Sequence, residues 1–253
     1  MTKMSFNAAL AVAFLFSSRP ALAESVSLLA PLDTPSVSAN TFTTTVTALG
    51  FSDTDTITYE GQLQPKLDID FTDFANPVVN SLDFLGQPGD IVHSAGSFDF
   101  GILGSVSLAG IQGRIETPVA NQPAPVTSGM FSSDDHEIIF AQGTITVSPS
   151  IGSPTVVDLN TNPLIRTLGG INDSTVTVTL AGVAGGIATY DVEILTPLDM
   201  VTVQTGDPQI DALVQITIDG NLVASGQFPR AIPEPGSFAL AGCVACFAAL
   251  RRR

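Results

Sequence analysis

The chain has 253 residues, with 24 acidic and nine basic side chains, a net charge of −15, no tryptophan and two cysteines. A surface this acidic repels phosphate backbones, which excludes a nucleic-acid-binding protein. Two cysteines cannot form a disulfide framework, but a body of about 210 residues buries enough surface to fold without one.

At the N-terminus, Lys3 supplies a positive start, Ala8 to Phe16 form a compact apolar run, and Ala21-Leu22-Ala23 is a small-x-small cleavage site. This is the layout of a secretory signal over residues 1–23, with a mature chain opening at Glu24. Nine apolar residues are too few to span a bilayer, which favours a cleaved signal over an anchor.

The body, residues 24–231, reads as β throughout. Leu67, Ile69 and Phe71 alternate with Lys66, Asp68 and Asp70, and Val176, Val178 and Leu180 alternate with threonines. Tyr190 to Ile194 and Val214 to Ile218 follow the same period of two, the pattern of strands with one wet face. Asp219-Gly220-Asn221 predicts a tight turn into Leu222-Val223-Ala224, and the proline-rich stretch 118–125 predicts a long surface loop. Phenylalanines such as Phe71, Phe84 and Phe98 belong to the core. Many short strands without an amphipathic helix predict one all-β exported domain, an antiparallel sandwich or barrel.

A weak internal match adds to this. Thr45 to Gly50 followed by Thr58-Tyr59-Glu60 parallels Thr177 to Gly182 followed by Thr189-Tyr190-Asp191, and these are the only tyrosines. A true duplication would give two related hairpins.

Catalytic signals are sparse. His93 and His136 are the only histidines, and no nucleophile elbow, zinc-protease helix or phosphate loop occurs. Asp134-Asp135-His136-Glu137 is the densest polar cluster, yet four consecutive residues on a strand point to alternate sides. Asp53 with Asp55, and Asp68 with Asp70, are carboxylate pairs of the kind used for calcium or for glycoside hydrolysis. Neither has the sequence of a calcium loop, and alternation on a wet strand face gives the same spacing. No catalytic residue, metal site or cofactor is assigned; calcium is the cation that oxygen-rich surfaces would favour. Sugar-stacking aromatics are poorly supplied with no tryptophan and two tyrosines.

The end of the chain carries the strongest signal. Pro233-Glu234-Pro235 is a stiff, extended strip; an uncharged run from Gly236 to Leu250 follows, and Arg251-Arg252-Arg253 stops it. Fifteen helical residues reach about 22 Å against a hydrocarbon core of about 30 Å, so a single short transmembrane helix would be a marginal anchor with its arginines on the cytoplasmic side. Cys243 and Cys246 lie within this run and read as small apolar filler.

The ordered parts of this tail, residues 232–253, resemble the PEP-CTERM sorting signal of Gram-negative bacteria. The resemblance covers about 21 of the 253 residues. It implies an exosortase-type membrane protease as partner, with Pro233, Glu234 and Pro235 as sorting motif and Arg251 to Arg253 as membrane stop. It implies nothing about the body. The reading from sequence is therefore an exported, non-enzymatic cell-surface or extracellular-matrix protein, at least transiently held in the membrane. The alternative is a secreted polysaccharide-binding lectin or hydrolase.

Overall fold

A computed structural model of the chain describes residues 23–36, 38–48, 50–198 and 214–232. Period-two alternation becomes strand wherever it was read. In Pro65–Asp70 every second side chain is buried, and in Ser174–Ala184 Val176 and Val178 point inward while Thr175, Thr177 and Thr179 face solvent. The strands in chain order are β1 (Ala23–Ser27), β2 (Ala30–Pro31), β3 (Thr41–Ala48), β4 (Phe51–Leu63), β5 (Pro65–Asp70), β6 (Val78–Phe84), β7 (Ile91–His93) and β8 (Gly96–Asp99). They continue as β9 (Gly104–Glu116), β10 (Met130–Phe131), β11 (Glu137–Pro149), β12 (Thr155–Asp158), β13 (Leu164–Thr167), β14 (Ser174–Ala184), β15 (Ile187–Leu198) and β16 (Val214–Ala231). The helical elements among the described residues are three short 3-10 turns.

All strand pairings are antiparallel and fall into two sheets. The large sheet runs β10-β14-β15-β16-β3-β4-β7-β9-β11-β12, with β2 on β4, β8 on β9 and β13 on β11. The small sheet is β1-β5-β6. The long path has two free ends, so the barrel alternative is corrected: the sheet does not close. The physical reason lies in the outermost strands, since β10 has two residues and β12 and β13 each cover only part of β11. Short edges of this kind end a sheet without offering a template for further pairing.

The chain passes from the large sheet to the small one at Gln64. Leu63 ends β4 and Pro65 begins β5, and the corner is pinned by the buried Asp90, whose carboxylate accepts from Gln62 (3.1 Å), Gln64 (2.9 Å) and the Gln87 amide (2.6 Å). Across the core, Tyr59, Leu198 and Ile218 face Ile138, Phe140 and Leu164 around a cavity of about 10 Å³, room for one water molecule at most.

Two expectations change. The predicted turn at Asp219-Gly220-Asn221 is strand: β16 runs unbroken from Val214 to Ala231. Gly220 is the crossing point, paired with Phe42 of β3 on one edge and Leu198 of β15 on the other. A Cβ there would lie 2.6 Å from Phe42 Cδ1 and 2.8 Å from the Thr41 carbonyl, so glycine serves close approach and not reversal. The 118–125 stretch is only partly a surface loop. Val119 is exposed, but Ala124 is buried with its amide on Asp83 Oδ1 at 3.1 Å, and Pro125 bridges to Ser81.

The tyrosine-bearing segments do form two hairpins, β3–β4 and β14–β15, but not in matching register. Gly50 sits in the first turn at φ +82°, whereas Gly182 lies in a bulge and the second turn is Gly185-Gly186 at φ +57° and +79°. Positive φ at both turn positions suits the right-handed twist of the flanking strands and favours glycine.

Candidate functional site

The acidic pairs have structural partners. Asp53 and Asp55 project from β4 toward the free edge of β8. Asp53 Oδ2 accepts the Asp99 amide at 2.7 Å and Asp55 Oδ2 the Ser97 amide at 3.2 Å. Their other oxygens accept the amides of Thr54 and Thr56. Together they clasp an edge strand. Asp70 caps its own turn through Thr72, which holds its carboxyl below the usual carboxylate range, and Asp68 stands opposite Ser25 and Ser81 in the small sheet. Among the described residues, no group of three or more histidine, cysteine, aspartate or glutamate side chains comes together as a metal site would require.

Asp134 to Glu137 disperse as the alternation argument requires. Asp134 is exposed, Asp135 half-buried with its carboxyl raised by burial and by Asp134, and His136 is buried completely. His136 Nδ1 shares a 2.8 Å hydrogen bond with the Thr117 hydroxyl, which itself accepts the Phe84 amide at 2.7 Å. Its ring packs edge-on to Phe84 and Phe131, and Nε2 has no hydrogen-bond partner. Burial pushes its pKa down to about 4, opposed by Asp173, whose carboxylate accepts from the Ser133 hydroxyl at 2.6 Å. Ser133 is itself buried, so histidine, serine and aspartate here stabilise the fold and present no nucleophile to solvent. His93, also pushed by burial to about 4, donates Nδ1–H to the Ser94 carbonyl and packs on Tyr59 and Phe140.

Neither the turn at His136 nor the aromatic cluster at His93 was legible as interior from sequence. The signal available was weak: each histidine is flanked by an alternating apolar strand. Asn40 was missed altogether. Buried at φ +55°, it donates Nδ2 to the carbonyls of Asp33 and Val223 and accepts the Val223 amide on Oδ1 at 3.0 Å. Its side chain thus stands in for a strand residue where β3 parts from β16.

A different constellation forms where the first and last described stretches meet. Arg230 of β16 lays its guanidinium 4.1 Å from the ring centroid of Phe71 and 4.8 Å from that of Phe74. Its Nε donates to Glu24 Oε2 at 2.6 Å, with the Arg230 side chain 10% exposed and that of Glu24 49%. Tyr190 supports the stack from below: its hydroxyl donates to the Phe74 carbonyl at 3.1 Å, and its ring lies 5.2 Å from Phe71 and 5.4 Å from Phe228. A partly desolvated cation over two rings contributes about 1–2 kcal/mol. Beside it, the Ile232 amide donates to the Gly186 carbonyl at 2.8 Å, tying the last described residue to the β14–β15 turn. Ala23, one of the two predicted cleavage-site residues, opens β1 opposite Asp70. Ala21 and the tail residues Pro233, Glu234, Pro235, Arg251, Arg252 and Arg253 lie outside the described residues.

No known protein family, curated protein or solved structure matches the chain. Among the described residues, no helix is long and apolar enough to cross a membrane.

Proposed function

We propose that this is an exported, non-catalytic cell-surface or extracellular-matrix protein of the biofilm-associated kind, delivered by residues 1–23 and sorted and held through residues 232–253. An exosortase-type membrane protease is its processing partner. The observation that carries the reading is the ordered tail: Pro233-Glu234-Pro235, an uncharged run to Leu250, then Arg251 to Arg253. Two features of the body support it. The Asp53, Asp55 and Asp70 carboxylates are engaged in holding a strand edge and a turn. Its sheets, packed in the manner of a sandwich, bring Glu24 and Arg230 together, so a chain exported from one end and retained by the other is handled at a single corner.

Deleting residues 233–253 tests the reading. The truncated chain is expected in the exported soluble fraction, and its continued sedimentation with membranes would overturn the anchoring role. Replacing Glu234 with alanine is expected to leave membrane insertion intact and to change only processing.

A further inference from the structure

The tip of the β14–β15 hairpin is held along one edge by the backbone of Ala231 and Ile232 and is otherwise exposed. All residues from Ala181 to Ile187 are exposed, and a Cβ built at Gly182, Gly185 or Gly186 would meet no atom within 4 Å. The tip is also apolar: Val183 is 58% and Ile187 48% exposed. No charge occurs from Ser174 to Tyr190, in a body carrying 23 acidic and four basic residues. The opposite hairpin has Asp53 and Asp55 in its equivalent stretch. Val183, Ile187 and the glycines therefore form the uncharged end of a strongly charged molecule.

Where the chain leaves this tip decides what covers it. The Ile232 amide is bonded to the Gly186 carbonyl, and Ala231 pairs with Ile187. From Ile232 to Phe238, where the apolar run of the tail begins, there are six residues. However they run, six residues reach at most about 21 Å. If Phe238 to Leu250 lie in a bilayer, the hairpin tip is confined to its immediate surface. We propose that the tip, Gly182 to Ile187, dips into the interfacial layer of the membrane beside the tail and sets the body upright on it. The inference rests on the anchoring role of the tail proposed above. Glu24, Asp70 and Asp73 stand at the same corner, so the surface it fits is a zwitterionic one. An apolar tip lodged at the headgroup boundary gains by burying its surface while the exposed Asp191 and Glu193 of β15 behind it stay in water.

The absence of tryptophan provides the probe. Full-length single-tryptophan variants V183W, I187W, F51W and F247W are reconstituted into phosphatidylcholine vesicles whose acyl chains are brominated near the headgroup or deep in the chain. V183W and I187W emission is expected to shift to the blue and to be quenched by the shallow bromines, F247W by the deep ones, and F51W by neither. Quenching at Phe247 alone overturns the hairpin contact while leaving the anchor in place. Equal quenching of F51W and I187W overturns it as well, since the contact would then not belong to this tip. No quenching at Phe247 overturns the anchor and the hairpin contact together.

Discussion

The two tyrosine hairpins flank the same strand at opposite ends. The β3–β4 hairpin pairs with residues 214–220 of β16 and β14–β15 with residues 220–231. Both are built from alternating threonine and apolar residues, and both bury their tyrosine completely. Their outer faces differ. On β3–β4, Thr45 bonds Thr54 at 3.0 Å, Thr47 bonds Ser52 at 2.8 Å, and the two aspartates clasp β8. The β14–β15 tip carries no such clasp. The inner ends differ too: Tyr59 packs against a titratable histidine and its hydroxyl has no partner, whereas Tyr190 has a carbonyl acceptor and a permanently charged arginine nearby. Similar strand chemistry therefore builds one hairpin whose aspartates clasp a further strand and another whose tip is apolar and exposed beside Ile232.

The sharpest break should come at Gly220, the point joining the two hairpins. Gly220→Val drives side-chain atoms into Phe42 and the Thr41 carbonyl and is expected to destabilise by about 3 kcal/mol or more, read as a lower urea midpoint. Gly182→Val at the exposed hairpin tip has open space around it and should cost less than about 1 kcal/mol. Equal losses would mean that the crossing is not the tight point.

Acid should separate the two tyrosine clusters next. In the fold His93 stays neutral down to about pH 4, while an unfolded histidine takes up its proton near 6.5. The stabilising difference is therefore complete above about pH 6.5 and is lost as pH falls toward 4, by up to about 3 kcal/mol for this residue. His136 adds a loss in the same window. Asp70, Asp73 and Asp158, lowered by hydrogen bonds to Thr72, Asn76 and Asn160, lose their contribution only at lower pH. Urea midpoints measured from pH 7 to 4 should fall steeply, and His93→Leu should flatten that slope. An unchanged slope would place the protonation elsewhere.

Removing the tyrosine hydroxyls should then have opposite consequences. Tyr190→Phe loses the bond to the Phe74 carbonyl and is expected to cost about 1 kcal/mol, whereas Tyr59→Phe removes a buried hydroxyl without a partner and should be neutral or slightly stabilising. Thermal unfolding of the two variants side by side decides this, and a destabilised Tyr59→Phe would reveal a partner for that hydroxyl.

The smallest effect concerns the clasp. Asp53→Asn with Asp55→Asn weakens the charge-assisted acceptors for the β8 edge and is expected to cost roughly 1 kcal/mol. Calcium and magnesium at equal ionic strength should shift the melting temperature alike, by screening. A calcium-selective rise abolished by these substitutions would turn the clasp into a cation site.

Strand identity was legible because period two is a local property. In β5 the buried set matches the apolar set residue by residue, and in the first half of β14 Val176 and Val178 are buried between exposed threonines. The Asp219-Gly220-Asn221 turn failed for the complementary reason: a glycine flanked by polar residues has the same local chemistry whether the chain reverses or a neighbouring strand presses close, and only Phe42 decides between them. Asp53 and Asp55 illustrate the same limit on a site. Their spacing placed them on one face, but what that face meets, the bare edge of β8, comes from residues more than forty positions away.

By itself, then, the sequence determined what depends on short spans: alternation, the apolar and charged ends, and the uncharged stretch around Val183. Tertiary structure alone decided what depends on pairing across long spans: that the sheet stays open, that two histidines become interior and neutral, and that Glu24 meets Arg230. The reason is physical. A strand's faces follow from its own residues, but its partners are set by which distant edges and core side chains compete for it, and that competition is resolved only when the whole chain packs.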